Sequence, residues 1–117
     1  MPIYAVNLDR AASTALSVGS ITASTAPRRG LVSRFVAGSP NAPTDTVYGW
    51  EVQRCTTQGT ATAYTPVALN PASPAALCNS HENPTVDGSL TANAMVLSFA
   101  LHQRATYQFF APPGYEL

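Results

Sequence analysis

Residues 91–117 read TANAMVLSFALHQRATYQFFAPPGYEL, and this stretch decides the fold. Met95, Leu97, Phe99 and Leu101 alternate with Val96, Ser98, Ala100 and His102, and Tyr107 and Phe109 alternate with Thr106, Gln108 and Phe110. Successive side chains of a pleated strand point to opposite faces, so this period of two predicts strands with one strongly apolar face. His102-Gln103-Arg104 is a short polar connection, and Pro112-Pro113-Gly114 ends strand pairing by removing two backbone donors. The pattern predicts a β-hairpin closed by a proline turn.

Working outward, the same reading places strands near Ile3–Leu8, Leu16–Ala23, Leu31–Ala37, Thr46–Arg54, Ala61–Val67, Leu90–His102 (bent or interrupted) and Ala105–Ala111. Helical signal is confined to one possible turn at Asp9–Leu16, with Asp9 as its N-cap. Breakers at Pro27-Arg28-Arg29-Gly30, Gly38 to Pro43 and Gln58-Gly59 separate the strands, and Leu69 to Val86 reads as a long, proline-rich loop. Short strands divided by turns predict an all-β chain, a small antiparallel β-sandwich of jelly-roll or Greek-key type. At 117 residues, with no repeat or linker, the expectation is a single domain over residues 1–117.

The core has few large side chains to draw on: Tyr4, Leu31, Phe35, Val36, Tyr48, Trp50, Val52, Leu90, Leu97, Phe99, Leu101, Tyr107 and Phe109. Each contributes roughly 1.5–3 kcal/mol when fully buried, a thin margin against backbone ordering. Charged residues make up only 10% of the chain, the net charge is zero and lysine is absent. Free monomers stay soluble through interspersed charge, so a surface this poor in charge predicts one that is covered in use. Binding to phosphates needs clustered cations, and Arg28-Arg29 is the only basic pair, which argues against a nucleic-acid partner. Residues 1–10 lack the pattern of a secretory signal, and no run approaches the roughly 18 apolar residues of a membrane helix; the expectation is synthesis in a cytoplasm without membrane association. Cys55 and Cys78 read as two small thiols, with a bond between them in an assembled particle as the alternative.

The sharpest chemical candidate is Cys78-Asn79-Ser80-His81-Glu82, where a thiol, an imidazole and a carboxylate lie close in sequence. A zinc site needs a distant partner pair as well, and only His102 and Cys55 remain to supply one. A Ser80/His81/Asp87 or Cys78/His81 nucleophilic set has no supporting elbow motif. The reading is therefore a polar loop, with no catalytic, metal or cofactor residue and no enzyme activity. In VYGWEVQR, Tyr48, Trp50 and Val52 share one face and read as core, with an exposed aromatic platform for carbohydrate as the alternative.

Several elements also carry a resemblance: QRCTTQGTATAYTPVALNPASPAA from Gln53, then Thr-Ala-Asn-Ala, a second Gln-Arg-Ala-Thr and a closing Pro-Gly-Tyr-Glu-Leu. From about Gln53 onward the chain resembles the capsid decoration (cement) proteins of tailed bacteriophages. That resemblance implies a non-enzymatic structural protein of the virion, bound outside the shell to the major capsid protein, most simply as a homotrimer matching a local threefold. Arg54 and Arg104 match its Gln-Arg elements, and each is read either as a bidentate partner for a neighbouring carboxylate or as a cap on backbone carbonyls. Phe110, Tyr115 and Leu117 are expected at an intersubunit contact because Phe109 and Phe110 point to opposite faces, and Arg28 and Arg29 are the remaining interface candidates. A tail, neck or fibre module of the virion, or a carbohydrate-binding sandwich, are the alternatives.

Overall fold

The computed structural model describes residues 2–11, 16–23, 31–39 and 42–114. Nine strands follow in order: β1 Tyr4–Ala5, β2 Gly19–Ala23, β3 Arg34–Ala37, β4 Val47–Cys55, β5 Gly59–Tyr64, β6 Val67–Ala68, β7 Cys78–Asp87, β8 Leu90–His102 and β9 Tyr107–Phe110. Strands account for 55% of the described structure and none of it is helical, so the chain is all-β. The possible turn at Asp9–Leu16, the breaker at Pro27–Gly30 and the middle of the Gly38–Pro43 breaker fall wholly or partly outside the described residues.

The chain divides into two compact units, each assembled from two separate stretches: residues 1–30 with 55–89, and residues 31–54 with 90–117. The first holds a three-stranded sheet in the order β2-β7-β5 and the pair β1-β6; the second holds the pairs β3-β9 and β4-β8. Pairing is antiparallel in β1-β6, β2-β7, β5-β7 and β3-β9. The pairs β3-β9, β4-β8 and β5-β7 nest inside one another along the chain.

Two expectations are corrected. β8 and β9 do not pair with each other; β8 lies beside β4, and β9 beside β3. The connection between them is held elsewhere: the Gln103 side-chain oxygen accepts from Thr44 N–H (2.7 Å) and Thr44 Oγ1 (3.1 Å), and Gln103 N–H donates to Thr46 O (3.0 Å). Turned towards residues 44–46, the chain leaves β8 too early to fold back along it. The second correction concerns the long loop, whose second half is strand β7, the centre of its sheet.

A central strand with Pro84 in it needs a local reason. β7 pairs Thr62 with Glu82 and Thr60 with Val86, so two residues of β5 advance against four of β7. The surplus bulges out at Asn83-Pro84-Thr85, Asn83 taking a left-handed φ of 49° that asparagine tolerates better than most residues. Pro84 therefore falls where the ladder is already interrupted and its missing N–H costs no pairing. Below the bulge Ser80, 1% exposed, donates its hydroxyl to Tyr64 O at 2.6 Å, so the buried polar group is satisfied.

In the second unit, Phe99 of β8 joins the two strand pairs. It stacks on Tyr107 (centroids 4.0 Å apart), lies parallel to Trp50 (6.4 Å, 5° between planes) and meets Phe35 edge-on (6.3 Å, 69°). Offset and edge-to-face contacts of this kind add to burial. The core is nonetheless thin: among the described residues only Ala37, Ser80, Pro84 and Ala94 are buried. Leu31, Val36, Tyr48 and Leu90, read as core from sequence, are exposed. They flank or alternate with inward residues on sheets only two strands wide, which leave one face uncovered.

Beyond the β1-β6 pairing, hydrogen bonds from and to charged side chains tie the N-terminal segment into the first unit. Arg10 Nη1 donates to Pro84 O (2.7 Å) and Ser17 O (3.0 Å), and Asp87 accepts from Ser17 Oγ (2.6 Å) and Ser17 N–H (3.0 Å). The Ser17 hydroxyl, then its amide, hold the Asp87 carboxyl below its ordinary value near 3.8; burial opposes them, and the charge of Arg10 adds the smallest lowering effect. A carboxyl lowered on folding stabilises the fold at pH values above its unfolded pKa, and that contribution is lost as pH falls through the lower folded value. Stability should therefore decline below about pH 4, and Asp87→Asn should flatten this acid limb while leaving the neutral-pH stability within about 1 kcal/mol, as for other exposed pairs. Denaturant unfolding of both proteins across this range measures it.

Candidate interaction surface

The register of β3 and β9 pairs Arg34 with Phe110, Phe35 with Phe109, Val36 with Gln108 and Ala37 with Tyr107. Phe35, Ala37, Tyr107 and Phe109 turn inward, whereas Arg34, Val36, Gln108 and Phe110 share the opposite face. On that outer face Phe110 is 63% exposed and Val36 50% exposed. The Arg34 guanidinium carbon stands 5.3 Å from the centre of the Phe110 ring, within cation–π range. With its amide oriented to satisfy both groups, Gln108 accepts from Arg34 Nε (2.8 Å) and Nη2 (2.7 Å). Arg34 is thus oriented by an amide, with no carboxylate paired to it among the described residues, beside an aromatic ring that water covers poorly. Arginine and aromatic side chains held in this way are the groups that dominate protein interfaces.

Phe110 was expected at a contact, and its exposure places it on an outward surface. Arg34 was missed, although a cation in phase with Val36 on a short strand is the pattern of an outward face. Arg104 lies at the end of the β8–β9 connection, where its Nε pairs with Asp45 Oδ1 at 3.3 Å. His102 Nε2 is 3.8 Å from the same oxygen, and His102 Nδ1 accepts from Arg104 N–H at 3.2 Å. Arg104 therefore meets a carboxylate of its own chain rather than backbone carbonyls. Arg54 is exposed near the end of β4. Arg28, Arg29, Tyr115 and Leu117 lie outside the described residues.

The residues weighed for chemistry are spread apart in role. Ser80 is spent on Tyr64 O and Asp87 on Ser17. Ser80 and His81 are neighbours on one strand, so their side chains leave opposite faces. They do share with Tyr64, Pro66, Ala76 and Cys78 the lining of an open cleft of about 240 Å³. His81 Nδ1 is buried and has no hydrogen-bond partner among the described residues. Cys55 and Cys78 are both half-buried and unbonded. Among the described residues no three His, Cys, Asp or Glu side chains lie close enough to hold a metal ion. Trp50 is half-buried against Phe99, so that face of its ring is not free to meet a sugar.

No family model, no curated protein and no solved structure matches the chain.

Proposed function

We propose that this chain is a structural binding protein, a decoration (cement) subunit that seats on the outside of a tailed-phage capsid and stabilises the shell. The observation that carries the binding role is the surface: among the described residues fourteen large apolar side chains are exposed, on a chain with only 10% charged residues. Monomers rarely leave so much apolar surface in water, and a covering partner removes the cost. The capsid assignment rests on the resemblance of residues from Gln53 onward, with the major capsid protein as partner and a threefold arrangement of copies.

The mechanism is binding alone. A protein that binds the closed lattice and not the opened one shifts the balance towards closed by RT ln(1 + [L]/Kd), about 2.7 kcal/mol per site at a hundredfold excess over Kd. Heads purified without this chain and then incubated with it should open at higher temperature than untreated heads, by several degrees in a calorimetric scan. Equal opening temperatures for saturated and bare heads would overturn the cement role.

A further inference from the structure

We propose that β9 is a pairing edge, where the free side of Tyr107–Phe110 adds antiparallel to the same strand of a second copy. The hydrogen-bond phase shows which groups are free. Ala111 N–H donates to Ser33 O at 2.9 Å, which makes residues 33 and 111 a bonded pair in the ladder. Bonded and non-bonded pairs alternate, so Phe109 opposite Phe35 and Tyr107 opposite Ala37 are bonded, whereas Gln108 and Phe110 point their N–H and C=O away from β3. Neither main chain has a partner among the described residues.

β9 is the edge of the second unit best suited to self-pairing. β3 carries Arg34, which a twofold contact would bring towards its own copy, and β4 carries Glu51 and Arg54. β8 is deformed at Asn93, whose φ is 56°. β9, Tyr107–Phe110, has no charge, no proline and no irregular residue, so its shortness is its only protection among the devices by which natural edges avoid their own copies. Its two-stranded sheet is also too narrow to be stable alone.

Face parity selects the register. Placing Phe109 opposite Phe109 of the second copy sets Gln108 opposite Phe110 of that copy, so inward residues stay inward. The outer rows then run Arg34, Phe110, Gln108, Val36 across four strands, with unlike neighbours throughout and an aromatic pair at the centre of the inner face. The contact is isologous and joins copies two by two; where a threefold contact also forms, it links one trimer to the next. It goes beyond the shell role and does not require it.

Site-resolved amide hydrogen exchange of the full chain, at low and high protein concentration, tests the pairing. The Gln108 and Phe110 amides should slow at least tenfold as concentration rises, while those of Tyr107 and Phe109 are slow throughout. Gln108→Pro, which removes a donor that β3 does not use, should keep the circular dichroism of the parent and lose concentration-dependent association in sedimentation. Phe110→Lys should do the same by charging the edge. Association in which the Gln108 and Phe110 amides exchange equally fast at every concentration, or a monomer at hundreds of micromolar, would overturn the proposal whether or not heads are bound.

Discussion

Phe99→Ala should be the most damaging single truncation in the second unit, lowering stability by about 3 kcal/mol, the lower end of the range for buried Phe→Ala because the ring is half-buried. Phe99 is the one ring in contact with Trp50, Phe35 and Tyr107 at once. These come from β4, β3 and β9, so its removal separates the two strand pairs rather than opening a local void. Neither pair can stand alone, since two-stranded ribbons are marginal in water. The expected readout is a fall in melting temperature on the order of 10–20 °C, with a red shift of Trp50 fluorescence as its stacked partner disappears. Tyr48→Ala, on an exposed position of the same strand as Trp50, should cost under about 1 kcal/mol.

A second large effect is expected at Gly59, where β5 starts. Its φ of 76° lies in the left-handed region, and a side-chain carbon there would run into Val86 O and crowd the backbone of Asp87 and Gly88. Backbone atoms on a paired strand cannot step aside as a flexible side chain would. Gly59→Ala should therefore combine the left-handed penalty of about 1–2 kcal/mol with displacement of the Gly59–Asp87 pair, for a total on the order of 3 kcal/mol. Gly49 provides the contrast, because a carbon added there meets nothing within 4 Å. Gly49→Ala should be neutral or slightly stabilising through the unfolded chain. Equal unfolding midpoints in urea for the two variants would contradict the assigned role of Gly59.

Much of the fold could be read from periodicity, and the errors have physical causes. Leu90–His102, expected as a bent or interrupted strand, has those bounds but is continuous, irregular in φ at Asn93, and Val96 to Leu101 switch strictly between exposed and half-buried. Periodicity reports which face a residue takes, not which strand lies beside it. The hairpin between β8 and β9 failed for that reason: Gln103 makes its bonds to Thr44 and Thr46, a choice set by residues some sixty positions away. β7 was hidden by its composition, since Asn79, His81, Asn83 and Pro84 are poor strand formers. What admits them is pairing on both sides plus a bulge at the proline, neither of which is a local signal. On the candidate surface, the opposite facing of Phe109 and Phe110 was legible from parity, whereas the grip of Gln108 on Arg34 depended on the register of β3 with β9.

The order of pairing has a kinetic meaning. No strand pairs with the one next to it in sequence; β1 waits for β6, β2 for β7, β3 for β9 and β4 for β8. Apart from β5 with β7, whose nearest partners Tyr64 and Ser80 are 16 positions apart, these pairings close long loops before local contacts reward them, which places folding in the slow, millisecond-to-second class of non-local β-proteins. On the ribosome, the first four strands emerge with no partner yet made. Exposed Ile21, Val36 and Val47 then spend the whole synthesis time open to other chains. The low charge of the chain leaves the nascent polypeptide with little repulsion to keep copies apart, so yield in expression should depend more on synthesis rate and temperature than on final stability.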